Sequence, residues 1–316
     1  MRGAPAEHPV PSERARELVR GAYDTHVHIA PDVVKRRVTD LQLAERFAEL
    51  GLAGFGLKSH YTSTAERARV VSAAVPAVDT IGTITLNRAV GGLNPVAVEI
   101  AAREGARIVW FPTVSSENEQ HEVLAADPDG RVPVWVRFEL ELREAGIVPA
   151  PVRVVDGGGA LVPEARDVLA AIARHDLVLA TGHLARDEIF TLVDGAVEAG
   201  VRRIVVTHPE FPSQRLSIDD QCALADRGAM MERAFTTPYT GKCTWEQVFD
   251  ASRAVGPERT VWSTDLGQVF NPPVEDGLAL MADQFLAAGF HDDEVRAMAV
   301  TNTRSIALGA GDRSAA

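Results

Sequence analysis

Two histidines stand one residue apart in the stretch YDTHVHIAPD, Tyr23 to Asp32. Successive side chains of an extended strand alternate faces, so His26 and His28 point the same way, with Asp24 below them. Paired imidazoles of this kind suit a borderline divalent ion such as zinc or iron. Three more histidines, His60, His183 and His208, each close an apolar run, and Lys58 shares a face with His60. Two carboxylates lie in comparable runs, Glu232 in AMMERAF and Asp265 in VWSTDLG. The remaining histidines, His8, His121, His175 and His291, fall elsewhere. Strand ends cover roughly a tenth of the chain, so chance would place about one histidine there. A lone histidine in an apolar run is more often a hydrogen-bonded core residue. Five of them at equivalent positions are better explained by a shared metal site.

The elements that must position these side chains are visible as eight runs: Ala22–His28, Gly54–His60, Asp79–Leu86, Arg107–Thr113, Leu177–His183, Arg203–His208, Ala229–Phe235 and Thr260–Asp265. Most are near-continuously apolar, as parallel strands covered on both faces are. Helical patterns alternate with them. In TDLQLAERFAELGLAG, Thr39 or Asp40 serves as cap and Gly51 as stop; NPVAVEIAAREGA opens at Asn94 with Pro95 in the first turn and closes at Gly105. Eight strand–helix repeats predict an α/β fold, a (β/α)8 TIM barrel, over an open doubly wound sheet, which would place a glycine-rich turn where this chain has THVHIAPD. The expected organisation is an N-terminal extension at 1–20, the barrel at 21–310 and a frayed tail at 311–316. A long insertion at 114–161, after strand four, reads as a lid or substrate wall. An extended pair is expected within it, around RVPVWVRFELEL and PVRVVDGGGALV.

Bulk properties narrow the function. Hydrophobic residues make up 46% of the 316, enough for a large core, and the net charge of −12 disfavours nucleic acid and anionic membranes as partners. Cys222 and Cys243 alone make no disulfide framework and no cysteine zinc site, which fits a reducing cytoplasm. The N-terminus lacks the apolar segment of a secretory signal, and no run approaches the ~18 apolar residues of a membrane span.

A His-x-His ending strand one, single histidines ending strands five and six and an aspartate ending strand eight resemble the amidohydrolase superfamily. The resemblance extends from about Tyr23 to Gly267, and TGHLARDE, VTHPEFP and STDLGQ look like a branch of poorly assigned function. It implies that His26, His28 and Asp265 hold one divalent metal and that His183 and His208 hold a second. Zinc or iron is favoured, with manganese as an alternative. The pattern departs at strand four, which ends VWFPT without the lysine or glutamate that bridges the metals in many binuclear members. Glu232, Lys58 with or without a carboxylate, Glu117, or solvent alone are candidate bridges, and His60 is a further candidate ligand.

The expected chemistry is hydrolysis of a carbonyl compound by a metal-activated water: an amide, lactone, ester or thioester, including an acyl-CoA thioester at a binuclear zinc or iron centre. Asp265 would accept the proton of the attacking water and pass it to the leaving group. Lys58, His60 or Tyr61 would bind the developing oxyanion, although Lys58 could equally pair with Glu232. Lys35, Arg36 and Arg37 in VKRRVTD could hold a substrate carboxylate or phosphate, or be a solvated helix start. Gln268 completes the substrate-binding candidates. The expected partner is a small molecule, anionic or CoA-linked, with homo-oligomerisation left open. A mononuclear decarboxylase of the same superfamily and a phosphoesterase are the alternatives.

Overall fold

The computed structural model describes residues 8–120, 134–148 and 150–308. All eight apolar runs fold as strands: β1 Tyr23–Val27, β2 Gly54–Leu57, β3 Asp79–Thr85, β4 Ala106–Trp110, β5 Val178–Ala180, β6 Arg203–Val206, β7 Met230–Ala234 and β8 Thr260–Ser263. They lie in one sheet in sequence order, β1 to β8, and every pairing described is parallel. The last strand also returns to the first. Asp265 N–H donates to His26 O at 2.8 Å, and His28 N–H to Leu266 O at 2.8 Å. This is the (β/α)8 barrel arrangement.

The strands are shorter than the runs suggested. His28, Asp265, His208, His60 and His183 follow their strands by one to three residues instead of ending them. The chain leaves extended geometry there: φ is +25° at His208, +52° at Asp265 and +67° at Gly182. Of the residues singled out for chemistry, His26 and Glu232 lie within strands.

Helices separate the strands where the capping chemistry places them. Thr39 caps Asp40–Leu50 through a reciprocal bond with Gln42, and Gly51 closes it in the left-handed conformation. Asn94 caps Pro95–Glu104, which Gly105 ends. The chain's contacts group into two compact units, one of Met1–Lys58, Arg67–Ile81 and Met231–Ala316, the other of Ser59–Glu66 and Gly82–Met230. The first is built on an aromatic core. Phe285 packs on Trp262, Phe290 and Phe249, with ring centroids 4.6, 4.8 and 5.0 Å apart, and Phe47 packs on Phe55 at 5.0 Å. Ser12 caps the short helix Glu13–Leu18, whose Ala15 and Leu18 join the same core. In the second unit Val168, Leu169 and Ile172 of the helix Pro163–Arg174 are buried, as are Ile189, Leu192 and Val193 of Arg186–Glu198.

The insertion after β4 corrects one expectation. The expected extended pair does not form at 134–142, since Val134–Glu144 is a helix. Its alternating apolar residues mimic a strand, but Arg137–Glu144 is rich in strong helix formers, and among the described residues no strand pairs with it. The later part is extended, with isolated bridges Ser116–Val152 and Val155–Leu161. Residues 121–133 of the expected lid, His121 among them, and the tail at 311–316 lie outside the described residues. Among the described residues no helix is long and apolar enough to cross a membrane.

Because Phe285 is fully buried among three aromatic rings, Phe285→Ala should destabilise the protein by about 3–5 kcal/mol. Urea unfolding followed by tryptophan fluorescence would measure this, and a loss below ~1 kcal/mol would contradict a tightly packed core at this position.

Candidate metal centre

In the first unit, one donor atom each from His26, His28 and Asp265 lies within 4.8 Å of the other two. Among the described residues this is the one group of three or more His, Cys, Asp or Glu side chains arranged to hold a metal ion. Asp265 Oδ1 lies 3.2 Å from His26 Nε2 and 3.1 Å from His28 Nε2. Two imidazole nitrogens and a carboxylate oxygen form a donor set suited to zinc, iron or manganese. β1 supplies His26, with His28 just beyond it. The turn after β8 supplies Asp265, held by the main-chain bonds that join β8 to β1. Gly267 lets that turn approach, because a Cβ there would meet His28 O at 1.5 Å.

A surrounding layer orients these donors. His26 Nδ1 faces Glu232 Oε1 at 3.0 Å, and the same oxygen accepts from Ser263 Oγ at 2.8 Å. A proton on Nδ1 toward Glu232 leaves Nε2 as the lone-pair nitrogen, which the Lys58 ammonium approaches at 2.8 Å. Thr236 Oγ1 donates to Asp265 Oδ2 at 2.9 Å. Asp24, fully buried, accepts from Thr264 Oγ1 at 2.5 Å and from the main-chain N–H groups of Thr264 and His26 at 3.0 and 3.3 Å.

The electrostatics favour a charged carboxylate beside a neutral His28, while His26 holds its proton more tightly. Burial pushes His28 down to about 3, assisted by Arg36 and Lys58 against the pull of Asp265. Burial alone would raise Asp265, but the charge and hydrogen bonds of His26 and His28 outweigh it and hold the carboxyl well below its usual range. For His26, burial and Lys58 push downward, while Glu232 and Asp265 prevail and raise it. Burial lifts Asp24 to about 7 against its hydrogen bonds from Thr264.

The second unit gathers His60, His183 and His208. The His183 ring lies 4.9 Å from that of His208 and 6.4 Å from that of His60, and Phe211 packs on both His183 and His208. Glu119 Oε2 is 3.4 Å from His183 Nδ1. Gln214 positions this pair. Its Nε2 donates to Gly182 O at 2.7 Å and to Thr207 O at 3.1 Å, the carbonyls just before His183 and His208. Ser116 and Asn118 donate to His183 O at 2.9 and 3.2 Å. His60 Nδ1 lies 2.9 Å from Thr113 Oγ1.

The other expected site residues have these surroundings. Glu232 is not among the three convergent donors, because it sits inside β7 and reaches the far nitrogen of His26. Lys58 and Glu232 address opposite nitrogens of that ring. Glu117 is gripped by Arg153 at 2.7–3.0 Å, which disfavours it as a bridge. Arg36 is bound to Asp32 at 2.6 Å, and Arg37 donates to Val269 O and Asn271 O at 3.2 and 2.9 Å, whereas Lys35 is exposed. Gln268 spans the same loop, donating to Asp265 O at 3.0 Å and accepting from Asn271 at 2.7 Å. The Tyr61 ring packs edge-on against Phe138 at 5.2 Å and His60 at 6.1 Å. Nothing in the sequence marks Thr236, Thr264, Asn87 or Gln214 as site residues. Thr113 alone carries a signal, since it ends the run in which the resemblance leads one to expect a bridging residue.

A family model described as "Family of unknown function (DUF6282)" matches residues 21–232, a span that holds every residue named above for the second unit but stops short of Asp265. No curated protein matches in sequence. Among solved structures, an amidohydrolase from Pseudomonas aeruginosa superposes with a TM-score of 0.59 at 12% identity, covering 95% of this chain and 99% of the other. The probable dipeptidase PvdM from Pseudomonas aeruginosa gives 0.61 at 11%, covering 93% and 97%. A metallo peptidase from Rhodobacter sphaeroides, liganded with a phosphinate mimic of the dipeptide L-Ala-D-Ala, gives 0.55 at 13%, covering 91% and 98%. At these identities the likeness is one of fold.

The raised proton affinity of His26 has a consequence for metal binding, because a divalent ion must displace a proton from Nε2. Affinity for zinc should therefore rise with pH until His26 is fully neutral. Glu232→Gln removes a charge that favours the imidazolium, so it should shift this dependence to lower pH. Zinc competition titrations between about pH 5.5 and 8 would check both; an affinity independent of pH in the wild type would refute the assignment of His26 as a ligand.

Proposed function

The chain belongs to DUF6282, a family of unknown function, so its chemistry must be read from its own site, and we propose that it is a metal-dependent hydrolase of a small carbonyl compound. The observation that carries this reading is the convergence of His26, His28 and Asp265, with Glu232 behind His26. These donors fit a divalent ion. When bound, such an ion lowers the pKa of water from ~15.7 to about 7 and polarises a carbonyl. His183 and His208 are the proposed holders of a second ion.

The chain's own groups supply the remaining chemistry. Glu232 keeps the His26 proton on Nδ1, leaving Nε2 as a donor. His26 and His28 hold the Asp265 carboxyl well below the usual carboxylate range, so that it can accept a proton from the attacking water. Its weak basicity favours passing that proton to the leaving group over retaining it. Lys58, buried beside His26, is placed to steady negative charge on the carbonyl oxygen.

Within this class we favour an amide. The probable dipeptidase among the structures of like fold, and the dipeptide mimic held by the metallo peptidase, support testing short peptides first. A lactonase-derived relative keeps lactones in the panel. Acyl-CoA is less favoured, because Arg36 of the basic run is paired with Asp32 and Arg37 is engaged by the carbonyls of Val269 and Asn271 in the loop after β8. The expectations of a cytoplasmic location and a small-molecule partner remain part of this proposal.

Metal analysis of protein purified without added metal, beside dipeptide, lactone, ester and acyl-thioester substrates, tests the reading. Two ions per chain favour the hydrolase, and one keeps the decarboxylase open. Asp265→Asn should lower kcat by roughly 10²-fold or more, since a neutral amide cannot accept the proton. Its metal content should fall far less, and excess metal should not restore turnover. Full rescue by added metal would leave Asp265 as a ligand only.

A further inference from the structure

The second unit contains a histidine whose proton can be located from its neighbours. Asn87 is 1% exposed and uses its whole amide group. Its Oδ1 accepts from the main-chain N–H groups of Thr113 and Ser115 at 2.9 and 3.1 Å. Its Nδ2 donates to His60 O at 3.0 Å. These main-chain partners, two donors and one acceptor, determine which end of the amide is oxygen and which is nitrogen, an assignment often ambiguous for asparagine. The second Nδ2 hydrogen is therefore the one directed at Thr113 Oγ1, 2.8 Å away.

Thr113 is fully buried, and its hydroxyl has a single hydrogen to give. Oγ1 already accepts from Asn87, and its other partner is His60 Nδ1 at 2.9 Å. If Nδ1 carried the proton, both neighbours would donate to Oγ1, and the hydroxyl hydrogen would be buried without an acceptor. If Thr113 donates to Nδ1, every hydrogen in the chain is used. Neutral imidazole has one N–H, so the proton then belongs on Nε2.

We infer that His60 is held by Thr113 and Asn87 as the Nε2–H tautomer, and that it acts as a hydrogen-bond donor to a substrate oxygen instead of as a metal ligand. Its Nδ1 lone pair is occupied by a hydroxyl and its Nε2 lone pair by a proton, leaving none for an ion. Among the described residues, the three-donor group of metal-holding geometry is His26, His28 and Asp265. A donor of fixed direction suits a carbonyl or carboxylate oxygen. Thr113 and Asn87 act through His60 and are positioning residues. Only the identity of the acceptor rests on the hydrolase reading; the tautomer does not.

The test is a long-range proton–nitrogen NMR spectrum of histidine-labelled full-length protein, with and without zinc, with the His60 signals assigned by their absence in His60→Phe. The expected result is an unprotonated Nδ1 and a protonated Nε2, both unchanged by zinc. A protonated Nδ1, or loss of the Nε2 proton on adding zinc, would overturn the inference. Thr113→Ser should preserve the tautomer, and Thr113→Val should mix it. On a substrate found in the panel above, Thr113→Val should lower kcat/KM by about tenfold and His60→Phe by roughly 10²-fold, with metal content unchanged in both. Loss of metal in His60→Phe would overturn the donor role. If the Thr113 variants do not fold, the wild-type spectrum decides alone. The expected tautomer with no substrate turned over would reject the hydrolase reading and leave the tautomer standing.

Discussion

Asp265 reaches the two imidazoles because the chain after β8 is tied to the chain of β1 by main-chain hydrogen bonds. That junction sets the geometry of the whole centre. It places a carboxylate from one end of the sequence within about hydrogen-bond reach of rings from the other. The cost is a left-handed backbone at Asp265, where φ is +52°. Non-glycine residues take up such a conformation when surrounding contacts require it, and the ones that do cluster at functional sites. Here Thr236 holds the side chain, Gly267 admits the return of the loop, and Gln268 braces the carbonyl.

Polar groups behind the donors matter as much as the donors. Glu232 and Lys58 address the two nitrogens of His26, and Asp24 links the main chain at His26 to Thr264. In the second unit Gln214 and Asn87 do comparable work with amide side chains, each gathering main-chain groups from separate loops. A histidine presented on a loop is a poor ligand or donor unless its backbone and its second nitrogen are fixed. Buried Asn and Gln can meet both needs because each amide carries donors and acceptors.

Much of this was legible in the sequence, for a physical reason. Parallel strands buried on both faces must be apolar almost without interruption, so His26, His28, His60, His183, His208 and Asp265 stood out against their runs. Caps such as Thr39 and Asn94 act over three or four residues and can be read locally. The rest depended on contacts distant in sequence. Nothing around Glu232 says that it faces the far nitrogen of His26, since its partner lies 206 residues away. Nothing around Asn87 announces its bonds to His60 and Thr113. The helix Val134–Glu144 misled because its apolar alternation matched a strand, and periodicity alone cannot tell whether a neighbouring edge exists to pair with it.

Lys58 adds a consequence for how the centre is assembled. Its ammonium already lies against His26 Nε2, beside the carboxylates of Asp265 and Glu232. The negative charge collected at the end of β1 is therefore partly balanced by a cation that belongs to the chain. Small zinc domains differ, since their clustered ligands have no such internal counterion and their folding waits for the ion. In this protein an arriving ion would exchange with a tethered ammonium. Charge balance beside these donors is thereby part of the fold itself, supplied by one buried lysine side chain.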